Sequence, residues 1–243
     1  MSYGENLICK FEDTHYWNWG TSYTCTVTSL ENGNNDKVIT GYTGGHCRSS
    51  DNDVKKIYIS RTKAKYIPAK IGKLFNLTSF YFGSSQLLAI KSQDFEYMQD
   101  LKHLELGWNQ ITTVPANAFS NLRKLEYLSL YINHIEELPI GVFSKNVNLK
   151  EVWLTHNKIK FLGNGIFDGL TQLNKLDLEN NHCVSKVYSG LVELKNDMVT
   201  MCKDSPSTLL QNLLNSECEA KIQEVQRSLC SNCVYQAERF EKY

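Results

Sequence analysis

Eight cysteines and six histidines are the residues of this chain whose type suits chemistry, and their spacing limits what that chemistry is. The cysteines gather toward the two ends. Cys9, Cys25 and Cys47 stand on one side, and Cys183, Cys202, Cys218, Cys230 and Cys233 on the other. Zinc binding would need paired ligands at short spacing. His46-Cys47 and Cys230-x-x-Cys233 offer the ligand types, but no second pair at zinc-finger spacing accompanies either. No metal and no cofactor is expected. His103, His134, His156 and His182 fall at solvent-facing or corner positions of a repeat, and His15 and His46 lie before it. There is no G-x-S-x-G, no H-E-x-x-H and no Walker loop. Gly41, Gly44 and Gly45 read as turns, because no Lys-Ser/Thr follows them. The chain therefore reads as a non-enzyme with no catalytic residues. The chemistry left for its cysteines is disulfide formation, the usual stabiliser of small caps in oxidising compartments.

The elements that hold these residues come from a repeat. Leu77, Leu101, Leu125, Leu149 and Leu173 stand 24 residues apart, each opening L-x-x-L-x-L-x-x-N-x-I-x-x-L-P with a Phe four residues past the Pro position. A period of this length marks a solenoid, whose stacked units bury one continuous core and present a long surface. Leu104/Leu106, Leu128/Leu130 and Leu176/Leu178 alternate as inward residues of a strand, and Phe80/Phe82 do so with aromatics. Ser85, Asn109, Asn133, Asn157 and Asn181 follow at the corner, where a short amide can satisfy both donors and acceptors of the leaving backbone. Phe95, Phe119, Phe143 and Phe167 form an aromatic column. A weaker turn with Val54, Ile57, Ile59 and Ile67-Pro68 precedes these, which makes six.

These motifs resemble the leucine-rich repeat family in the 24-residue form common in extracellular proteins. The resemblance implies an α/β solenoid, a horseshoe with a parallel β-sheet on its concave face and irregular or short helical segments behind. It also implies a binding function, usually protein recognition. The N-terminal segment, Cys9-Lys10-Phe11 and Tyr23-Thr24-Cys25-Thr26-Val27, looks like the caps of secreted insect leucine-rich repeat proteins. A Cys-bearing end followed by a helical tail with Cys-x-x-Cys resembles the mosquito leucine-rich immune proteins. Those pair through helical tails and an interchain disulfide and engage a complement-like partner. A role in innate immunity is what that resemblance implies.

The expected organisation has four parts. Residues 1–53 form a cysteine-bearing, β-rich N-terminal cap, and 54–182 the six turns. Residues 183–204 form a C-terminal capping segment, and 205–243 an amphipathic helical tail. In the cap, Cys9 and Cys25 flank a hairpin whose bend is Tyr16-Trp17-Asn18-Trp19-Gly20, so they are expected to be bridged. Cys183 takes a column that is Ile in earlier turns and is expected to pair with Cys202. In the tail, Asp204-Ser205-Pro206 supplies an N-cap and a first-turn Pro. Leu210, Leu214, Cys218, Ile222, Val225, Leu229 and Cys233 then recur at helical spacing. Such a helix either folds back as a cap or pairs with another chain as a homo- or heterodimer.

Composition agrees. Of 243 residues, 26 are Lys or Arg and 26 are Asp or Glu. No basic stripe invites nucleic acid, and no apolar stretch is long enough to span a membrane. Met1–Lys10 lack the apolar core of a signal peptide. The cysteines nonetheless point to a secreted, extracellular protein whose export signal is removed or omitted. Asn76-Leu77-Thr78 is a glycosylation acceptor on the solenoid edge.

Function is expected at the variable strand positions. The outward residues Tyr58, Tyr81, Glu105, Trp108, Tyr131, Ile132, Trp153, His156, Asp177 and Glu179 would form an aromatic centre with an acidic flank. Exposed Trp and Tyr are enriched at binding hot spots. The expected function is a secreted recognition protein that takes a protein, peptide or glycan ligand on the concave face. The alternative is an extracellular scaffold assembling through its C-terminal helix. Peptide mapping under non-reducing conditions should recover Cys9 linked to Cys25 and Cys183 linked to Cys202. Recovery of these four as free thiols would sink the export reading.

Overall fold

The computed structural model describes residues 5–16, 20–30, 39–43, 53–162 and 165–189. Six parallel strands, one per turn, form the body of a ten-stranded sheet: β4 (Lys56–Ser60), β5 (Ser79–Gly83), β6 (His103–Glu105), β7 (Tyr127–Ser129), β9 (Glu151–Trp153) and β11 (Lys175–Asp177). Each pairs in register with the same position of the next turn, as Leu104 does with Leu128 and Leu128 with Val152. On the opposite side β8 (Glu137–Leu138) and β10 (Phe161–Leu162) form a second, two-stranded sheet. The described residues contain no α-helix; behind the sheet run turns and one 3-10 segment, Ile71–Lys73.

The inward residues are where the alternation places them. Phe80, Phe82, Leu104, Leu106, Leu128, Leu130, Val152, Leu154, Leu176 and Leu178 are all buried. Phe95, Phe119, Phe143 and Phe167 stack down the solenoid with ring centroids 6.0, 6.2 and 5.8 Å apart. Each buried Phe contributes about 1.5–3 kcal/mol of transfer free energy, and each ring pair adds roughly 0.5–1.5 kcal/mol.

Hydrogen bonds at the corner lock one turn to the next. Asn133 Nδ2 donates to Leu106 O of the preceding turn at 3.0 Å and to Leu130 O of its own at 2.9 Å. Its Oδ1 accepts the Ile111 N–H at 3.0 Å. Asn109, Asn157 and Asn181 repeat the pattern. Leu106, Leu130 and Leu154 carbonyls are thus each gripped by two amides, their own and the next turn's. A left-handed residue stands just before the corner side chain in every turn, whether that side chain is an amide or the hydroxyl of Thr62 or Ser85. Arg61, Ser84, Trp108, Ile132, His156 and Asn180 all have φ between 47° and 56°. For Ile132 this is a strained conformation, because a β-branched side chain crowds the carbonyl there.

The ends are closed by strands. β1 (Glu5–Tyr16) and β2 (Gly20–Leu30) form the expected hairpin, with Cys9 bonded to Cys25. β3 (Ile39–Thr43) lies parallel to β1. β2 runs parallel to β4, so the cap extends the solenoid sheet. At the other end β12 (Val187–Tyr188) pairs antiparallel with β11. Cys183 is disulfide-bonded; Cys202 and the helical tail expected over 205–243 lie outside the described residues.

One buried amide escapes the repeat pattern. Asn146 stands in the column filled by Met98, Leu122 and Leu170, fully buried. Its Nδ2 donates to Phe119 O and Leu122 O, while Oδ1 has no partner. Both carbonyls already accept backbone N–H groups. Asn146→Leu therefore orphans nothing and should change unfolding free energy by less than about 1 kcal/mol. Asn133→Leu orphans the Ile111 N–H and should cost roughly 2–4 kcal/mol. Equal effects of the two substitutions in denaturant melts would refute the ladder.

Candidate functional site

Pleating sends alternate strand residues to the open face of the sheet. Reading from β4 to β11, the first outward column is Lys56, Ser79, His103, Tyr127, Glu151 and Lys175. The second is Tyr58, Tyr81, Glu105, Ser129, Trp153 and Asp177. A third, Ser60, Gly83, Gly107, Tyr131, Thr155 and Glu179, follows two residues on. The sequence reading found the second and third columns and missed the first. Carrying the alternation two residues toward the N-terminus would have found it.

Aromatic rings lie down on this face. Tyr58 and Tyr81 stack with centroids 4.3 Å apart. Glycine makes room for them. A Cβ at Gly83 would meet the Tyr81 ring at 2.7 Å, and one at Gly107 would meet the Tyr131 ring at 2.2 Å. Trp108 stands edge-on to Tyr131 at 6.3 Å, and at 51% it is the most exposed of the face aromatics placed by the sequence. Tyr127 bridges His103 and Trp153 at 6.4 Å on each side. The Trp153 indole N–H donates to Glu151 Oε2 at 3.1 Å, and Lys175 Nζ sits 3.6 Å from its ring centroid.

Three expectations about this face need correction. Trp108, Tyr131, Ile132, His156 and Glu179 do not sit within strands; β6, β7, β9 and β11 end before them. Trp108, Ile132 and His156 occupy the left-handed corner instead. Glu105 and Asp177 are not solvent-facing side chains but are buried, 6% exposed each. Both carboxylates turn back on their own backbone. Glu105 Oε1 accepts the Gly107 N–H at 2.9 Å, and Asp177 Oδ1 the Glu179 N–H at 3.0 Å. The acidic flank is consequently weaker than the sequence suggests. At that end His156 Nε2 and Asn180 Nδ2 lie 3.2 Å apart across adjacent corners.

Glu105 is the electrostatic centre of the face. Burial pushes its carboxyl up to about 7, against opposing contributions from the Gly107 N–H and the Ser129 and Tyr127 hydroxyls. Tyr127 OH lies 3.5 Å from Oε2. Ser129 Oγ is buried beside it without a hydrogen bond of good geometry. Burial likewise holds His103 below the ordinary histidine range and lowers Lys56 to about 8. Burial raises Tyr81, Tyr127 and Tyr131, with neighbouring charge adding to it. All three are neutral near neutral pH. No group of three His, Cys, Asp or Glu residues able to hold a metal occurs among the described residues.

A separate cavity of about 250 Å³ lies along one edge, lined by Lys102, Lys124, Glu126, Asn148, Lys150 and Gln172. Its cations are already answered: Lys102 and Lys150 pair with Glu126, and Lys124 with Asp100. These exposed pairs are each worth little, and they leave the edge without strong net charge. Asn76 is exposed, as a glycan acceptor must be.

Residues 75–135 and 128–182 match the family model of the leucine rich repeat. No curated protein matches the chain. A structure of the Toll–Spatzle complex, described as a molecular hub in Drosophila development and innate immunity, aligns with 54% of this chain and 18% of its own. The identity is 23% and the TM-score 0.49. An octameric complex of Latrophilin 3, Unc5D and FLRT2 aligns with 60% of this chain and 44% of its own, at 21% identity and a TM-score of 0.47. The chain spans less than half the length of either.

The shift at Glu105 makes a prediction for stability. Its folded pKa of about 7 lies above the ordinary 4.5. Between these values the folded state binds more protons than the unfolded, so this group's contribution falls as pH rises from about 4.5 through 7. The loss above pH 7 is up to roughly 3 kcal/mol. Glu105→Gln, which keeps an acceptor for Gly107, should match the parent near pH 4.5 and be more stable by about that amount at pH 8. Denaturant melts at both pH values check it, and an unchanged difference between them contradicts the buried carboxyl.

Proposed function

We propose that this leucine-rich repeat protein is an extracellular recognition protein that takes a protein or peptide partner on the open face of its sheet. The observation that carries the reading is the aromatic floor of consecutive turns, capped by an exposed Trp108. Nothing in the packing of the repeat asks for aromatics there. The inward columns already fill the core, and large aromatics at a half-exposed surface are the residues most often found as hot spots. Leucine-rich repeat proteins commonly mediate protein binding, which favours the same surface.

Secretion is supported by the cap disulfide and the disulfide-bonded Cys183, since such bonds persist in oxidising compartments. Exported by that route, the exposed Asn76 becomes a glycosylation site. A place in innate immunity, and pairing through the 205–243 tail, rest on the resemblance to the mosquito immune proteins. Mass measurement with and without reductant tests the pairing.

The recognition surface is tested by panning a phage-displayed random heptapeptide library against the full chain and against two variants. Trp108→Ala should leave the melting temperature nearly unchanged and cut the affinity of enriched peptides tenfold or more. Trp153→Ala should do the same to binding while also costing about 1 kcal/mol, because Lys175 and Tyr127 lose a packed ring. Undiminished binding by both variants would move the functional surface elsewhere.

A further inference from the structure

The open face alternates in charge in a way the repeat does not require. At one end Lys56 Nζ lies 6.0 Å from the Tyr58 ring centroid. At the other, Lys175 Nζ lies 3.6 Å from that of Trp153. Each end thus sets a lysine of this chain against an aromatic ring. Between them, in the four turns from Ser79 to His156, the outward and corner positions hold no lysine or arginine. What they hold is two carboxylates: the half-buried Glu151, which accepts the Trp153 indole N–H, and the buried Glu105 among Tyr81, Tyr127 and Tyr131. No salt bridge reaches Glu105 among the described residues; its partners are the Gly107 N–H and the Tyr127 and Ser129 hydroxyls.

We propose that Glu105 and the three tyrosines around it form a seat for one cationic side chain, arginine or lysine, of the peptide or protein partner. The proposal rests on the recognition reading above and names its anchor.

Two observations carry it. A carboxylate this deep is costly unless a cation answers it, and the second column otherwise uses neutral Tyr, Ser and Trp in the central turns. The repeat therefore tolerates a destabilising residue at the centre of its face. Burial raises the Glu105 carboxyl to about 7, so it is partly protonated at neutral pH; an arriving cation favours release of that proton to solvent and then meets the charge in a low-dielectric setting where attraction is strong. The second observation is Gly107, whose lack of a Cβ lets the Tyr131 ring and the Glu105 carboxylate share one spot. Ring faces beside a carboxylate are the surroundings that favour a guanidinium or ammonium over a neutral group.

A neutral saccharide would also stack on the aromatics, but it would gain nothing from the carboxylate's charge. The heptapeptide library separates the cases. Peptides enriched on the full chain should share a basic position. Replacing that arginine with citrulline, or that lysine with its acetylated form, should weaken binding tenfold or more. Glu105→Gln, expected to fold at least as stably, should weaken the basic peptide tenfold or more and make it equal to the citrulline peptide. The Gly107 amide resonance, which reports on Oε1, should shift with the basic peptide and not with the citrulline one. Enrichment of peptides without a basic position, or equal binding by Glu105→Gln, overturns the proposal and leaves the recognition reading standing. Enrichment on neither the full chain nor its variants overturns both. Selective retention of a neutral glycan array, lost in Trp108→Ala, assigns the seat to saccharide and overturns the cationic anchor.

Discussion

The corner amide is the interaction on which the rest of this structure depends. A coil that turns out of a strand every 24 residues exposes carbonyls and N–H groups at the same place each time. Stacking would bury them unpaired, at about 1–3 kcal/mol apiece. In the four turns that carry it, one asparagine answers a donor and two strand-end carbonyls, one of them in the preceding turn. In doing so it follows a left-handed residue and ties its own strand to the one before. The Phe column and the paired inward residues then fill a space whose dimensions the amides have set.

What was legible in the sequence follows from that constraint. A strict period makes each inward position visible several times over, so the Leu, Ile and Phe columns, the amide ladder and the six strands were readable. The Cys9–Cys25 hairpin was readable for a local reason, a turn-rich stretch between two apparent strands. Depth was harder to read. Glu105 and Trp153 share a column, yet the glutamate is buried and the tryptophan only half so. The difference lies in the neighbours: Gly107 leaves room for Glu105 to fold back under Tyr131. The strained corner at Trp108 and Ile132 was illegible for another reason. Backbone sign is fixed by the bond that follows it, not by the residue that suffers it. Asn146 hid because it stands in an apolar column without disturbing the period.

The open face shows the opposite economy from the core. Inside, residue choice is repetitive and each side chain stabilises its neighbours. Outside, the chain keeps a buried carboxylate with no cation, glycines beneath aromatic rings and an isoleucine in a left-handed turn. Each costs stability. Their concentration on one side of the same turns separates a scaffold that sets positions from a surface that uses them.

Ser85 breaks the ladder, and the break has mechanical meaning. Its hydroxyl accepts the Thr62 N–H and donates to Gly83 of its own turn, so it cannot grip the preceding strand-end carbonyl as the later asparagines do. In a stack where every unit contacts only its neighbours, cohesion is local and the weakest joint determines where opening starts. At the first seam a longer ladder stands in for the missing amide: β4 and β5 pair over five residues, against three between the next strands, and Thr62 Oγ1 donates to Ser85 Oγ. The stack thus has two kinds of joint, one held by strand length and the others by a side-chain amide.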